Sequence, residues 1–208
     1  MIETFSHNEQ KAEAAFTSQA PVFDELYNED IIIQYKRKRV RDHLVQYLQP
    51  QSSILELNAG TGEDAIFFAK QGHHIHATDI SRGMQQSLVK KISTSNFENN
   101  ISYELCSFTQ LDALQHRGPY DAIFSNFAGL NCTSELPKVL MSFDELLKPG
   151  GIVTLVLLPK FCLWETFLIF KGKFKTATRR LFSNNGRRAH LQGAYFKCWY
   201  YNPSSIVS

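Results

Sequence analysis

The residues best placed to do chemistry lie in one stretch, ILELNAGTGEDA, residues 54–65. A short apolar run ends at Leu57, a turn with Gly60 and Gly62 follows, and a helix-forming segment begins. Glycine carries no Cβ, so backbone there can approach a ligand closely. The helix start adds N–H groups free to bind an anion or a polar ligand. A second feature is Asp79, which closes the alternating run HIHATD. A carboxylate there can accept hydrogen bonds from both hydroxyls of a ribose. Either feature alone has a plain explanation, a tight turn for the glycines and a helix cap for the aspartate. Together, at the spacing of one strand–helix–strand unit, they point to a nucleoside-binding site.

The elements that must hold these residues follow from periodicity. Residues 53–57, 74–79, 101–106, 120–126 and 152–158 read as strands, with helices over residues 84–93 and 136–147 between them. Strands alternating with helices predict parallel pairing. Before them, residues 1–30 read as a loose helical entry. Ile31 to Leu48 reads as a helix with Ile33, Val40, Leu44, Val45 and Leu48 on its apolar face, stopped by Pro50. Its basic run, Lys36 to Arg41, is expected on the solvated side. Residues 161–182 read as an aromatic helix that turns basic, and residues 193–201 as a sixth strand.

The matched pieces resemble the class I S-adenosylmethionine-dependent methyltransferases, closest to the small-molecule branch that includes quinone-biosynthesis enzymes. ELNAGTG stands where that family has an acid followed by GxGxG. ATDIS with Met84 resembles its ribose step, YDAIFSNFA its fourth strand, and LLKPGGIVTLVL its turn into the fifth strand. AFTSQAPVFDELYN resembles its N-terminal lead. Asn58 departs from the family's first glycine, and Ser107 stands where an acid near the adenine amino group is common.

The resemblance implies a fold: α/β, a Rossmann-like, mostly parallel sheet with helices on both faces. Its seventh strand has no counterpart among the six counted here. It implies one domain over 1–208, with a helical lead or lid (1–50), a cofactor-binding core (51–159) and an incomplete acceptor-side segment (160–208). It also implies S-adenosylmethionine as methyl donor, with S-adenosylhomocysteine as product and a small organic molecule as acceptor. Glu56, Asn58, Ala59, Gly60 and Gly62 would surround the methionine part. Asp79 would hold the ribose, Ile80 and Met84 would flank the adenine, and Ser107 and Phe108 would edge it. Asn126 would face the donor methyl. The competing reading is a degenerate relative that binds the cofactor without catalysis. A dinucleotide oxidoreductase would need GxGxxG, which Asn58-Ala59-Gly60-Thr61-Gly62-Glu63 does not supply.

No catalytic base is assigned. His190, Tyr195, Tyr200 and Tyr201 are the candidates, because they lie in the segment expected to cover the acceptor. Asn126-Phe127-Ala128 is not the NPPY-like sequence of enzymes that methylate nucleobase amines, which argues against nucleic acid. His73, His74 and His76 lack partners at ligand spacing, so no metal is expected. The cysteines, at 106, 132, 162 and 198, form no CxxC pair, and no signal pattern opens the chain. A cytoplasmic protein is the expectation.

Charge is unevenly placed. All 20 acidic residues precede Thr166, whereas 8 of the 22 basic residues follow it. A basic end of this kind suits an anionic surface such as a membrane. An uncovered aromatic strand at 193–201 would invite homodimerisation.

Overall fold

A computed structural model describes residues 6–206. The chain opens with α1 (His7–Tyr27), capped by Ser6 and Glu9 in reciprocal hydrogen bonds, and α2 (Ile31–Val45), capped by Asp30. Then come β1 (Ser53–Leu57), α3 (Glu63–Lys70), β2 (His74–Asp79), α4 (Arg82–Ser95), β3 (Ile101–Leu105), β4 (Tyr120–Ser125), α5 (Leu136–Met141) and β5 (Leu147–Leu155). The five strands form one parallel sheet in the order β3-β2-β1-β4-β5.

Strand alternation sends side chains to two cores. On one face Ile54, Phe68, Ile75, Leu88 and Phe124 pack beneath α3 and α4, with Leu44 of α2 among them. On the other, Leu55, Leu57, Ile123, Leu136 and Phe143 pack beneath α5 and the loops. The α/β, parallel, two-faced architecture is as the sequence implies. Glu56 shares the Ile54 face, so its carboxyl is driven under α3 instead of into water.

Three expectations are corrected. The lead is not loose: α1 is a 21-residue helix. It lies so close to α4 that a Cβ on Gly83 would stand 2.7 Å from the Thr17 carbonyl oxygen. Residues 161–182 do not form one helix. They break into α6 (Leu163–Thr166), a 3-10 turn over Phe167–Lys171 and α7 (Phe174–Ala177), because Gly172 adopts φ +69° between them.

The aromatic strand at 193–201 does not extend the main sheet. It is β7 (Ala194–Cys198), paired antiparallel with β6 (Arg187–Leu191) in a separate hairpin. Phe196 tucks under α1 against Phe16, with ring centroids 5.7 Å apart. Asn131, in the 3-10 turn after β4, fastens the hairpin's end through hydrogen bonds to the backbone of Trp199 and Leu158. β7 is thus paired with β6 and packed under α1 instead of lying as an uncovered edge of the main sheet.

Candidate active site

Four strand ends meet the loops that bear the predicted residues, at the carboxyl edge of the sheet. Ala59 N–H donates to the Thr78 carbonyl (3.0 Å) and Gly60 N–H to Asp79 Oδ2 (2.8 Å), which ties the glycine turn to the end of β2. Asp79 Oδ1 accepts from Ser81 N–H (2.7 Å). Ser81 in turn caps α4 by accepting from Met84 N–H. Burial pushes the Asp79 carboxyl up to about 6, against the hydrogen bonds from Ser81, Gly60 and Ile80.

Beside this turn opens a cavity with about 930 Å³ of non-atom space, part of it continuous with solvent. Of the predicted residues, Asn58, Ala59, Gly60, Asp79, Ile80, Met84, Phe108 and Asn126 line it together. Glu56, Gly62 and Ser107 do not. Gly62 has φ +82° and begins α3, and a Cβ there would collide with Leu88 Cδ1 at 2.1 Å. Its role is to let α3 and α4 approach.

Asn58 takes the left-handed backbone (φ 49°) that a glycine would otherwise occupy. Asparagine is among the few other residues that tolerate it. Its amide donates to the Asn126 carbonyl (3.1 Å) and accepts from Ser125 Oγ (2.6 Å). The departure at this position thus clamps the end of β1 to the end of β4. Phe127 and Ala128, just beyond, also have positive φ, at 52° and 62°. Backbone held there by non-glycine residues stores strain of about 1–3 kcal/mol each and tends to sit at ligand sites.

Several residues in or beside the lining were not anticipated; Arg37 lines the cavity and Arg41 lies behind it. Arg37 and Arg41, expected in solvent, both turn inward. Arg37 pairs with Asp64 (3.2 Å) and lies over the Phe127 ring. Arg41 binds Asp64 and the Glu63 carbonyl and covers Phe67. Their spacing with Leu44 along one helical face was the available signal. Asn126 Nδ2 also reaches Asp64 (3.1 Å). Two buried polar atoms here, Arg37 Nε and Glu56 Oε2, have no hydrogen-bond partner. Burial, then the neighbouring Asp64, pushes the Glu56 carboxyl above the carboxylate range.

Glu9 enters the cavity from α1. Its carboxylate accepts from Ser107 Oγ (2.6 Å), Thr109 Oγ1 (2.5 Å) and Ser6 N–H (2.9 Å). Burial works to raise its pKa, but these hydrogen bonds outweigh it and hold the acid ionised. Ser107 therefore serves the site indirectly, as a donor to Glu9. Phe16 and Phe23 of α1 and Phe127 add an apolar wall.

The candidate bases are elsewhere. His190 packs on Tyr195 at 4.6 Å, Tyr200 lies beneath Arg180, and the Tyr201 hydroxyl donates to the Thr133 carbonyl. None lines the cavity. His76 bonds Ser102 (2.8 Å) and Glu104 (3.3 Å) within the sheet. Among the described residues no group of His, Cys, Asp and Glu could hold a metal ion, and no helix is long and apolar enough to cross a membrane.

Residues 54–151 match the model of a family described as a methyltransferase domain. The fold is the class I methyltransferase fold: a DhpI-SAM-HEP complex superposes with a TM-score of 0.66 at 16% identity, over 98% of this chain and 87% of that one. The [4+2]-cyclase SpnF superposes with a TM-score of 0.65, also at 16% identity, over 76% of this chain and 63% of its own. In sequence, the tuberculostearic acid methyltransferase UfaA1 of Mycobacterium tuberculosis is 23% identical over 156 residues, 70% of this chain. The tRNA 5-carboxymethoxyuridine methyltransferase of Escherichia coli is 26% identical over 117 residues, 55% of this chain. The chain spans only 35% and 44% of the lengths of these two relatives.

Proposed function

We propose that this chain, whose residues 54–151 match a methyltransferase domain, moves a methyl group from S-adenosylmethionine to a small organic acceptor. The observation that carries the reading is the cavity where the glycine turn, Asp79 and Arg37, whose Nε has no partner, converge. The fit is chemical. A free arginine N–H suits a carboxylate, so Arg37 matches the acid of an amino-acid head group. Asp79 suits the ribose hydroxyls. Ile80, Met84 and Phe108 offer flat apolar contact to a heterocycle. Gly60 lets the backbone come close. When bound, the donor supplies a sulfonium-activated methyl group that an acceptor attacks in line.

The protein's own part is then positioning and exclusion of water. Phe16, Phe23 and Phe127 form the apolar wall against which an acceptor would lie. The titratable lining groups are poor bases: burial pushes the Cys106 thiol up to about 12, Asp64 is committed to two arginines and Glu63 to Lys91, and hydrogen bonds hold the Glu9 pKa down. An acceptor that is already nucleophilic fits such a site best. In this reading α1 and α2 close the cavity and residues 51–159 hold the donor, while the hairpin of β6 and β7 braces α1 from outside it. The non-catalytic alternative drew on Asn58 and on the missing last strand of the sheet. Because that side chain is taken up by Ser125 and Asn126, it gives the alternative no support.

Calorimetric titration with S-adenosylhomocysteine tests the proposal. Micromolar binding that disappears in Asp79→Ala is the expected result. A folded protein that takes up no S-adenosylhomocysteine overturns it.

A further inference from the structure

Beyond methyl transfer, one surface calls for a partner. Residues 161–182 leave large apolar side chains in water: Trp164 is 80% exposed, Phe170 87% and Phe182 71%, with Phe174 also largely free. Scattered exposed apolar residues are ordinary, but several within one short segment mark an interaction site. Around Gly172 the sequence runs Phe170-Lys171-Gly172-Lys173-Phe174-Lys175, and its three lysines are exposed with no ion-pair partner among the described residues. The segment's one acid, Glu165, does not offset them. It is bound by Arg179 and Arg180, which hold its pKa down to about 2 despite some burial. That ion-pair cluster also ties α6 to the end of the segment, so the aromatic turns are anchored at both sides.

We propose that this segment seats the protein on the surface of an anionic lipid bilayer. Phenylalanine and tryptophan at a turn suit the boundary between head groups and acyl chains. Lysines beside them reach lipid phosphates, each contributing roughly a fivefold gain in partitioning. The uneven charge of the chain orients this end toward such a surface. Single-stranded nucleic acid, which also uses aromatics and cations, fits less well, because aliphatic Leu163 and Leu181 are exposed among the rings and do not stack on bases. No residue named here lines the cavity, so the proposal stands apart from the methyltransferase reading.

The test is sedimentation of the full chain with vesicles of phosphatidylcholine containing phosphatidylglycerol, against pure phosphatidylcholine, at low and high salt. Binding to the anionic vesicles, weakened by salt, is expected. In a Trp199→Phe background, Trp164 emission should shift to the blue and be quenched by brominated acyl chains. Phe170→Ser with Phe174→Ser should abolish the quenching and cut binding at least tenfold. Lys171→Glu with Lys173→Glu should remove the preference for anionic lipid. Circular dichroism confirms that each variant is folded. The proposal fails if the wild-type chain stays in the supernatant, if the double phenylalanine variant binds and quenches as well as the parent, or if a single-stranded oligonucleotide binds more tightly than the vesicles.

Discussion

At the scale of single residues, two carboxylates set what the cavity prefers. Glu9 accepts three hydrogen bonds and lies beside Phe108, so it presents negative charge at the rim of the flat apolar slot. Its remaining acceptor capacity favours a ligand amine over a ligand carbonyl. S-adenosylhomocysteine should therefore bind at least roughly tenfold tighter than its deaminated, hypoxanthine-bearing analogue, a difference near one charged hydrogen bond. Glu9→Gln can donate as well as accept, and the ratio should collapse toward one. An unchanged ratio in the variant would remove Glu9 from recognition. Asp79 gives a pH dependence. Its pKa of about 6 is raised above that of an unfolded aspartate, so the native state binds the extra proton as pH falls from 7 toward 4. This group's contribution to stability is thus present at low pH and lost as pH rises through 6. Ribose binding needs the ionised form, so affinity for S-adenosylhomocysteine should drop below pH 6 by up to about tenfold per unit. Titrations across that range measure it; a flat profile down to pH 5 would show that Asp79 does not hold the ligand.

At the scale of elements, the two turn glycines divide their labour. A Cβ at Gly60 meets nothing within 4 Å and would project into the cavity, whereas one at Gly62 drives into Leu88. Gly60→Ala should therefore cost only about 1 kcal/mol of stability yet weaken ligand binding sharply. Gly62→Ala should lower stability by about 1–3 kcal/mol through overpacking between α3 and α4. Denaturant melts set beside binding titrations separate the two effects, and equal behaviour of the variants would refute the division. This strand–turn–helix was legible in the sequence because its signals are local: alternation to Leu57, glycines, then an apolar helix. The arginine pair was legible only in part. Arg37, Arg41 and Leu44 share a helical face, but nothing nearby in the chain announces that Asp64 waits beneath it. Glu9 was not legible at all, since its partners Ser107 and Thr109 are about a hundred residues away. The broken segment 161–182 misled for the opposite reason. Its apolar pattern is too continuous to have a phase, and Gly172 decided the outcome.

At the scale of the whole molecule, α1 joins parts that are distant in sequence. Thr17 meets Ser81 at the head of α4 (2.8 Å), and Asp24 binds Thr61 (2.6 Å) in the glycine turn and Lys91 (2.7 Å) of α4. Further along the same helix, Asn8 bonds both the Cys132 carbonyl and the backbone of Lys197 in β7. Glu9, Ala12, Phe16 and Phe23 form one side of the cavity between these anchors. A ligand that fills the cavity must therefore stabilise α1 against opening, and α1 in turn holds the hairpin. Ligand present at a hundred times its dissociation constant should add about 2.7 kcal/mol to global stability. Local opening should be suppressed wherever the ligand bridges elements. Hydrogen exchange with S-adenosylhomocysteine bound should accordingly slow across His7–Tyr27 and Ala194–Cys198 as well as across the glycine turn. Residues 161–182, which share none of these anchors, should exchange at an unchanged rate. Protection confined to residues 54–80 would mean that the lead is scaffold only, and that the cavity's α1 side takes no part in holding the ligand.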